Sequence, residues 1–241
     1  MRKNQNDILV IGHRGASAIS PPNTLKAFKK AIELKADYVE FDIHITKDEE
    51  VVIIHDSDTF NTTGVKGLIR DMTLEQIKLL DAGEGEKIPT LHELISIARN
   101  KMGLQIEIKA TNLLEKLIII LKEENLQDTS IVSSFMIDEL LKLKLLEPNL
   151  KLGLLLYMEL VRPTFIRRKI KKAAENNFYS IHPPFNITNK DIVDFAHSLG
   201  LKVIVWTVND RETIEKLIKI DVDGIITDDI SLANDVIGRS I

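Results

Sequence analysis

Short apolar runs recur along this chain. Each is followed by a stretch whose apolar positions repeat every three or four residues, which predicts strands and helices in alternation. Strands are expected at 8–11, 38–46, 104–108, 130–134, 152–157, 179–182, 203–208 and 223–227, eight in all. After the first strand, Ser20-Pro21-Pro22-Asn23-Thr24 is turn chemistry ending in a helix cap, and Leu25, Phe28 and Ile32 mark one helical face. Helices follow the later strands at 91–100, 113–124, 137–146, 163–176, 189–199, 210–220 and 231–237. The rhythm breaks after the second strand. A polar run, 47–50, leads to a short extra strand at 51–55, a loop at 61–67 and a short helix at 73–80. Segment 57–87 therefore reads as an insertion over one end of the assembly. Strands alternating with helices imply a parallel sheet, and eight of them imply closure into a (β/α)8 TIM barrel, an α/β fold of a single domain over 1–241. An open, doubly wound sheet is the alternative, but no GxGxxG follows the first strand.

Composition narrows the setting. A hydrophobic fraction of 44% over 241 residues suffices for one barrel-sized core. With no cysteine, disulfides and thiolate metal sites are excluded. The N-terminal residues turn polar at once and 8–11 is too short for a signal-peptide core or membrane span, so a cytoplasmic location is expected. A formal charge of −4 gives no dominant basic surface, so nucleic acid is not an expected partner. Oligomeric state is left open.

The chemistry gathers in 11–56. Glu40 and Asp42, two apart on a strand, project from one face. A buried pair of like charges needs a cation, a shared proton or water, and a divalent metal is the simplest answer. If Thr46 faces Val51 in a hairpin-like return, Asp42 faces His55. The first strand delivers His13 and Arg14 at its C-terminal end, the end where barrel active sites lie, between Gly12 and Gly15.

Beyond these residues lies a longer series of motifs. His13-Arg14-Gly15, Asn23-Thr24, Ala36-Asp37, Glu40-Phe41-Asp42, Thr46-Lys47-Asp48 and His55-Asp56 come first. Ile88-Pro89-Thr90-Leu91, Glu107-Ile108-Lys109 and Trp206-Thr207-Val208-Asn209 follow in order. Together they resemble the signature of the glycerophosphodiester phosphodiesterase family along nearly the whole chain. The resemblance implies hydrolysis of glycerophosphodiesters to sn-glycerol 3-phosphate and an alcohol. It implies a Mg2+ or Ca2+ ion held by Glu40, Asp42 and Glu107, and His13 and His55 as general acid and base in an order left open. Arg14 and Lys109 would face the phosphodiester, and Trp206 would wall the organic part of the substrate. Whether water attacks directly or a glycerol hydroxyl first forms a cyclic phosphate is also open. Two positions depart from the family pattern: Pro22 stands where glutamate is usual and Asn61 where arginine is usual. These departures keep two alternatives in view, a barrel that binds phosphodiesters without cleaving them and a phospholipase acting on lysophospholipids or phosphoinositides.

The remaining histidines are expected elsewhere. His44 reads as a surface residue, His92 and His197 as solvated positions on outer helices, and His182, at a strand end, as a candidate substrate contact. Tyr157, Met158, Leu160, Val161, Phe165 and Ile166 alternate with Arg162, Arg167, Arg168, Lys169, Lys171 and Lys172, so 157–172 is a candidate for weak contact with an anionic membrane surface. A solvated outer helix with a packed inner face is the competing reading.

Overall fold

A computed structural model describes residues 7–157 and 162–240. Eight parallel strands close a ring: β1 (Leu9–His13), β2 (Tyr38–Ile45), β4 (Gly103–Ile108), β5 (Ser130–Ser134), β6 (Lys151–Leu155), β7 (Ser180–His182), β8 (Lys202–Val205) and β9 (Gly224–Thr227). Neighbours pair in sequence order, and β1 pairs with both β9 and β2, which seals the barrel. The ninth strand, β3 (Val51–Ile53), runs antiparallel on the outer part of β2. Helices α1 (Leu25–Glu33), α4 (Leu91–Ala98), α5 (Leu114–Glu123), α6 (Ile137–Leu146), α7 (Pro163–Glu175), α8 (Lys190–Ser198), α9 (Arg211–Lys219) and α10 (Ile230–Ile237) surround it. The expected (β/α)8 TIM barrel is thus the observed fold.

Period-two alternation divides the strand side chains between two apolar layers. Val39, Phe41 and Ile43 of β2 belong to the main core that packs strands against helices, with Phe28 of α1 meeting Phe41 edge to face at 5.9 Å between centroids. Ile11, Ile131, Ile204 and Ile226 form a separate cluster with Leu9, Tyr38, Tyr179 and Trp206. Caps fix the helix starts: the Thr24 hydroxyl accepts from the Ala27 N–H, and Thr90 with Glu93 forms a reciprocal box opening α4.

The segment between β3 and α4 carries α2 (Phe60–Thr63), within what reads as loop, and α3 (Leu74–Leu79), which a Thr73–Gln76 capping box opens. Ile69, Ile77, Ala82 and Ile88 pack with Val52 and Ile54 in a small core of their own, so the insertion is anchored on β3. The β2–β3 register differs by one residue from expectation. Ile45, not Thr46, pairs with Val51, because Thr46 belongs to the turn: its N–H donates to the Glu50 carbonyl and its hydroxyl accepts from the Glu50 N–H. Asp42 therefore lies opposite Ile54, whose N–H donates to the Asp42 carbonyl, and His55 falls just beyond the pair.

Of the stretch considered for membrane contact, Met158, Leu160 and Val161 lie outside the described residues. Among the described residues no helix is long and apolar enough to cross a membrane.

Candidate active site

Strand ends bring the expected residues together. His13, Arg14, Glu40, His55, Glu107, Lys109 and Trp206 line one cavity of about 200 Å3 with Gln105, Phe135, Leu155 and Ile226, and Asp42 is buried beside it. The β2–β4 register pairs Asp42 with Glu107, which explains how acids so distant in the chain meet. One carboxylate oxygen from each of Glu40, Asp42 and Glu107 lies within 4.8 Å of the others.

Two cations run through this acidic group. Lys109 Nζ is 2.7 Å from Glu107 Oε1 and 3.2 Å from Asp42 Oδ1, and Arg14 Nε is 3.4 Å from Asp42 Oδ2. Burial together with the charges of Asp42 and Glu107 pushes the Glu40 carboxyl well above the usual carboxylate range. Burial, then Asp42, pushes Glu107 up to about 7. Asp42 is equally buried, but Lys109 and Arg14 outweigh burial and hold it below its ordinary value. Burial opposes the Lys109 charge, yet Asp42 and Glu107 prevail and raise its pKa. Three hard oxygen donors with too little positive charge around them suit a divalent cation such as Mg2+ or Ca2+.

The local backbone serves this arrangement. Arg14 holds the left-handed conformation at φ 54°, rare outside glycine, and its N–H donates to Glu40 Oε2 at 3.1 Å. Gly15 follows at φ 91°, where a Cβ would sit 2.6 Å from that of Ala27, so the turn requires glycine.

Each imidazole has an aspartate behind it. His13 Nδ1 lies 2.6 Å from Asp228 Oδ1, and His55 Nδ1 lies 2.6 Å from Asp56 Oδ1. Asn61 donates to the other oxygen of Asp56 at 2.7 Å; that bond, ahead of its pairing with His55, holds Asp56 below its ordinary value. Burial lowers the His55 pKa, so its neutral form is favoured. On the apolar side, Phe135 meets Trp206 edge to face at 5.7 Å and stacks on Tyr157 at 4.6 Å, and the indole N–H donates to the His182 carbonyl.

The sequence profile of the glycerophosphoryl diester phosphodiesterase family matches residues 13–232. The chain belongs to that family. A glycerophosphodiester phosphodiesterase of Caldanaerobacter subterraneus subsp. tengcongensis is 42% identical over 92% of this chain and 94% of its own length. The crystal structure of glycerophosphodiester phosphodiesterase from Thermotoga maritima matches with a TM-score of 0.83 at 32% identity, covering 95% of this chain and 98% of that one. An Oleispira antarctica phosphodiesterase, whose structure holds the product sn-glycerol-3-phosphate, matches with a TM-score of 0.87 at 27% identity, covering 95% and 96%.

Within this glycerophosphodiester phosphodiesterase barrel, two expectations about histidines are corrected. His44 is buried, not a surface residue, and its Nε2 lies 3.1 Å from the His55 carbonyl. His182, considered as a substrate contact, is fully buried in the barrel between Ser180 Oγ at 2.8 Å and Gln105 Nε2 at 3.3 Å, over Gly153. Burial drops its pKa to about 3. His92 keeps a side chain 48% exposed beside Glu124, as expected of an outer helix, whereas His197 is tied to Asp223 at 2.7 Å.

Sequence reasoning left three contributors without a role. Asn23, also at positive φ, donates to Asp42 Oδ2 at 2.9 Å. Asp56 and Asp228 back the two histidines. Asn23 and Asp56 stand inside the family motifs, so their signal was present; Asp228 had only its place at the end of the last strand.

Proposed function

We propose that this protein hydrolyses glycerophosphodiesters to sn-glycerol 3-phosphate and an alcohol, with a divalent cation and two histidines. The observation that carries this reading is the convergence of two imidazoles, two fixed cations and three buried carboxylates on one small cavity. Family membership and the product bound to the Oleispira enzyme support it.

Glu40, Asp42 and Glu107 would hold Mg2+ or Ca2+, and the ion would polarise the non-bridging oxygens of the phosphate. Three carboxylates and a diester against Arg14 and Lys109 leave an excess of negative charge that one divalent ion removes. Arg14 and Lys109 bind the phosphoryl oxygens and stabilise the charge that builds on them. His13 and His55 divide the proton work: one takes a proton from the attacking hydroxyl and the other gives one to the leaving oxygen. Trp206 and Phe135 form the wall against which the organic part of the substrate rests. Weak contact with an anionic lipid surface is the accompanying proposal for 157–172. It is supported by exposed Tyr157 and Phe165 near exposed Arg162, Arg168, Lys171 and Lys172.

Incubation with glycerophosphocholine, glycerophosphoethanolamine and glycerophosphoinositol, each with Mg2+ or Ca2+, should release sn-glycerol 3-phosphate, with lysophosphatidylcholine and phosphatidylinositol run in parallel. Binding without turnover under every condition identifies a non-hydrolysing barrel, and turnover confined to lysophospholipids or phosphoinositides identifies a phospholipase. Failure to sediment with anionic vesicles at low salt removes the membrane contact.

A further inference from the structure

His13 stands in the wall between two spaces. On one side is the cavity holding the acidic group; on the other is an open groove of about 490 Å3, which His13 and Arg14 also line with Ser17, Pro22, Asn209 and Asp228. The imidazole bridges them. Nε2 lies 4.0 Å from Glu40 Oε2 on the cavity side, and Nδ1 lies 2.6 Å from Asp228 Oδ1 on the groove side.

We propose that Asp228 is the positioning residue of His13: it fixes the proton on Nδ1 and so turns the lone pair of Nε2 toward the reacting phosphate. This assignment rests on the hydrolytic reading above. An ionised carboxylate only accepts hydrogen bonds, so the nitrogen facing it must carry the proton, and in the neutral ring the lone pair then belongs to the other nitrogen. Asp228 is built to stay ionised and still. Ser17 Oγ donates to its Oδ1 at 2.8 Å and Asn209 Nδ2 to its Oδ2 at 2.5 Å. Asn209 Oδ1 in turn accepts from the Asp228 N–H at 2.9 Å and from the Thr227 hydroxyl, gripping both ends of the residue. Ser17 Oγ also lies 2.8 Å from the His13 carbonyl, so its single proton is shared between that carbonyl and Asp228 and links the histidine's backbone to the group that orients its ring. Burial works against the Asp228 charge, but His13, Ser17 and Asn209 outweigh it and bring its pKa to about 2.

This network also gives Asn209, the last residue of the Trp206-Thr207-Val208-Asn209 motif, a use. It supports Asp228, which supports His13. Such a chain of hydrogen bonds orients a base in the manner of the aspartate in a hydrolase triad, where loss of the carboxylate leaves the ring in the wrong tautomer. The network behind the other histidine is smaller: Asp56 has Asn61 as its second side-chain partner, whereas Asp228 has both Ser17 and Asn209.

The test uses Asp228→Asn, which keeps size and removes the charge, with Asn209→Ala as a milder variant if the first folds poorly. Nitrogen-15 spectra of the imidazoles, assigned by comparison with His13→Gln, report which ring nitrogen of His13 carries the proton. Wild type is expected to show the Nδ1–H form, and Asp228→Asn a mixture or the Nε2–H form. With glycerophosphocholine, kcat should fall on the order of a hundredfold in Asp228→Asn while KM stays within a few-fold, and Asp228→Glu should recover part of it. Retention of the Nδ1–H form in Asp228→Asn overturns the proposal whatever the rate. Should wild type cleave none of the diesters, the hydrolytic reading falls, and the tautomer measurement alone decides whether Asp228 orients His13.

Discussion

His44 Nε2 lies 3.1 Å from the backbone carbonyl of His55, so one histidine holds the main chain that carries the other. The bond pins the chain two residues past the end of β3, where His55 lines the cavity. Replacing His44 by alanine removes a buried side chain and strips the His55 carbonyl of this partner, a loss of about 1–3 kcal/mol. Displacement of His55 should lower kcat roughly tenfold, since small errors in placing a catalytic group are amplified in rate. Urea unfolding and steady-state kinetics check both. Unchanged kcat in a destabilised His44→Ala would show that His44 serves the fold alone.

His182 predicts an acid-sensitive core. Its folded pKa is lowered from 6.5 to about 3, so between these values the unfolded chain binds a proton that the folded protein refuses. Stability therefore falls as pH drops through this window, by about 1.4 kcal/mol per pH unit from this group, and receives no contribution from it above 6.5. His182→Gln keeps an amide that can meet Ser180 and Gln105 but does not titrate. The difference in unfolding free energy between wild type and His182→Gln, followed in urea from neutral pH to pH 4, should shift in favour of the variant as pH falls. Parallel pH profiles would refute this origin of the acid sensitivity.

The barrel was legible because its evidence repeats. Each strand is bounded by turn chemistry, each helix shows an apolar stripe, and an error of a residue at one boundary leaves the count intact. The site was legible where a period or a motif marked it: Glu40 and Asp42 by their two-residue spacing, Glu107 and Lys109 by the Glu107-Ile108-Lys109 motif. His44 continues the Glu40–Asp42 spacing and is still misplaced by it, because the antiparallel pairing of β3 with β2 brings the His55 carbonyl to its ring, a tertiary fact. The one-residue register difference has a similar source, since Thr46 is taken by hydrogen bonds to Glu50 across the turn. Asp228 meets His13 only because β1 and β9 are neighbours in the closed ring. Its partner lies at the opposite end of the chain, and no local pattern connects them.

The acidic group predicts opposite effects of one substitution on stability and on ion binding. Without a cation, Glu40 and Glu107 are pushed upward by burial and by Asp42, which means that their ionised forms cost stability. Glu107→Gln should therefore raise the melting temperature of chelator-treated protein, or leave it unchanged. The same variant should lose the increase in melting temperature that Mg2+ or Ca2+ produces in wild type, and lose turnover with it. Excess chelator should abolish wild-type turnover, and one of the two ions should restore it. Full activity in chelator would remove the ion from the reaction, and an undiminished thermal shift in Glu107→Gln would remove Glu107 from the ion site.

Asn61, where the family usually has arginine, sits behind His55. It donates to Asp56 Oδ2 at 2.7 Å while His55 Nδ1 meets Oδ1 at 2.6 Å, so the amide holds the carboxylate that holds the ring. This pair is more exposed than the one behind His13, with the His55 side chain 40% open against 22%, and water can replace a lost bond there. Asn61→Ala should thus cost only a few-fold in kcat with little change in stability. Asn61→Arg, which places a charged donor near the same carboxylate, should retain or raise the rate. A drop in kcat on the scale of His55→Ala in the Asn61→Ala variant would contradict this and give Asn61 a direct part in handling substrate. Measuring kcat and KM for both variants beside His55→Ala separates the outcomes, because loss of a phosphate contact raises KM whereas a loosened ring lowers kcat.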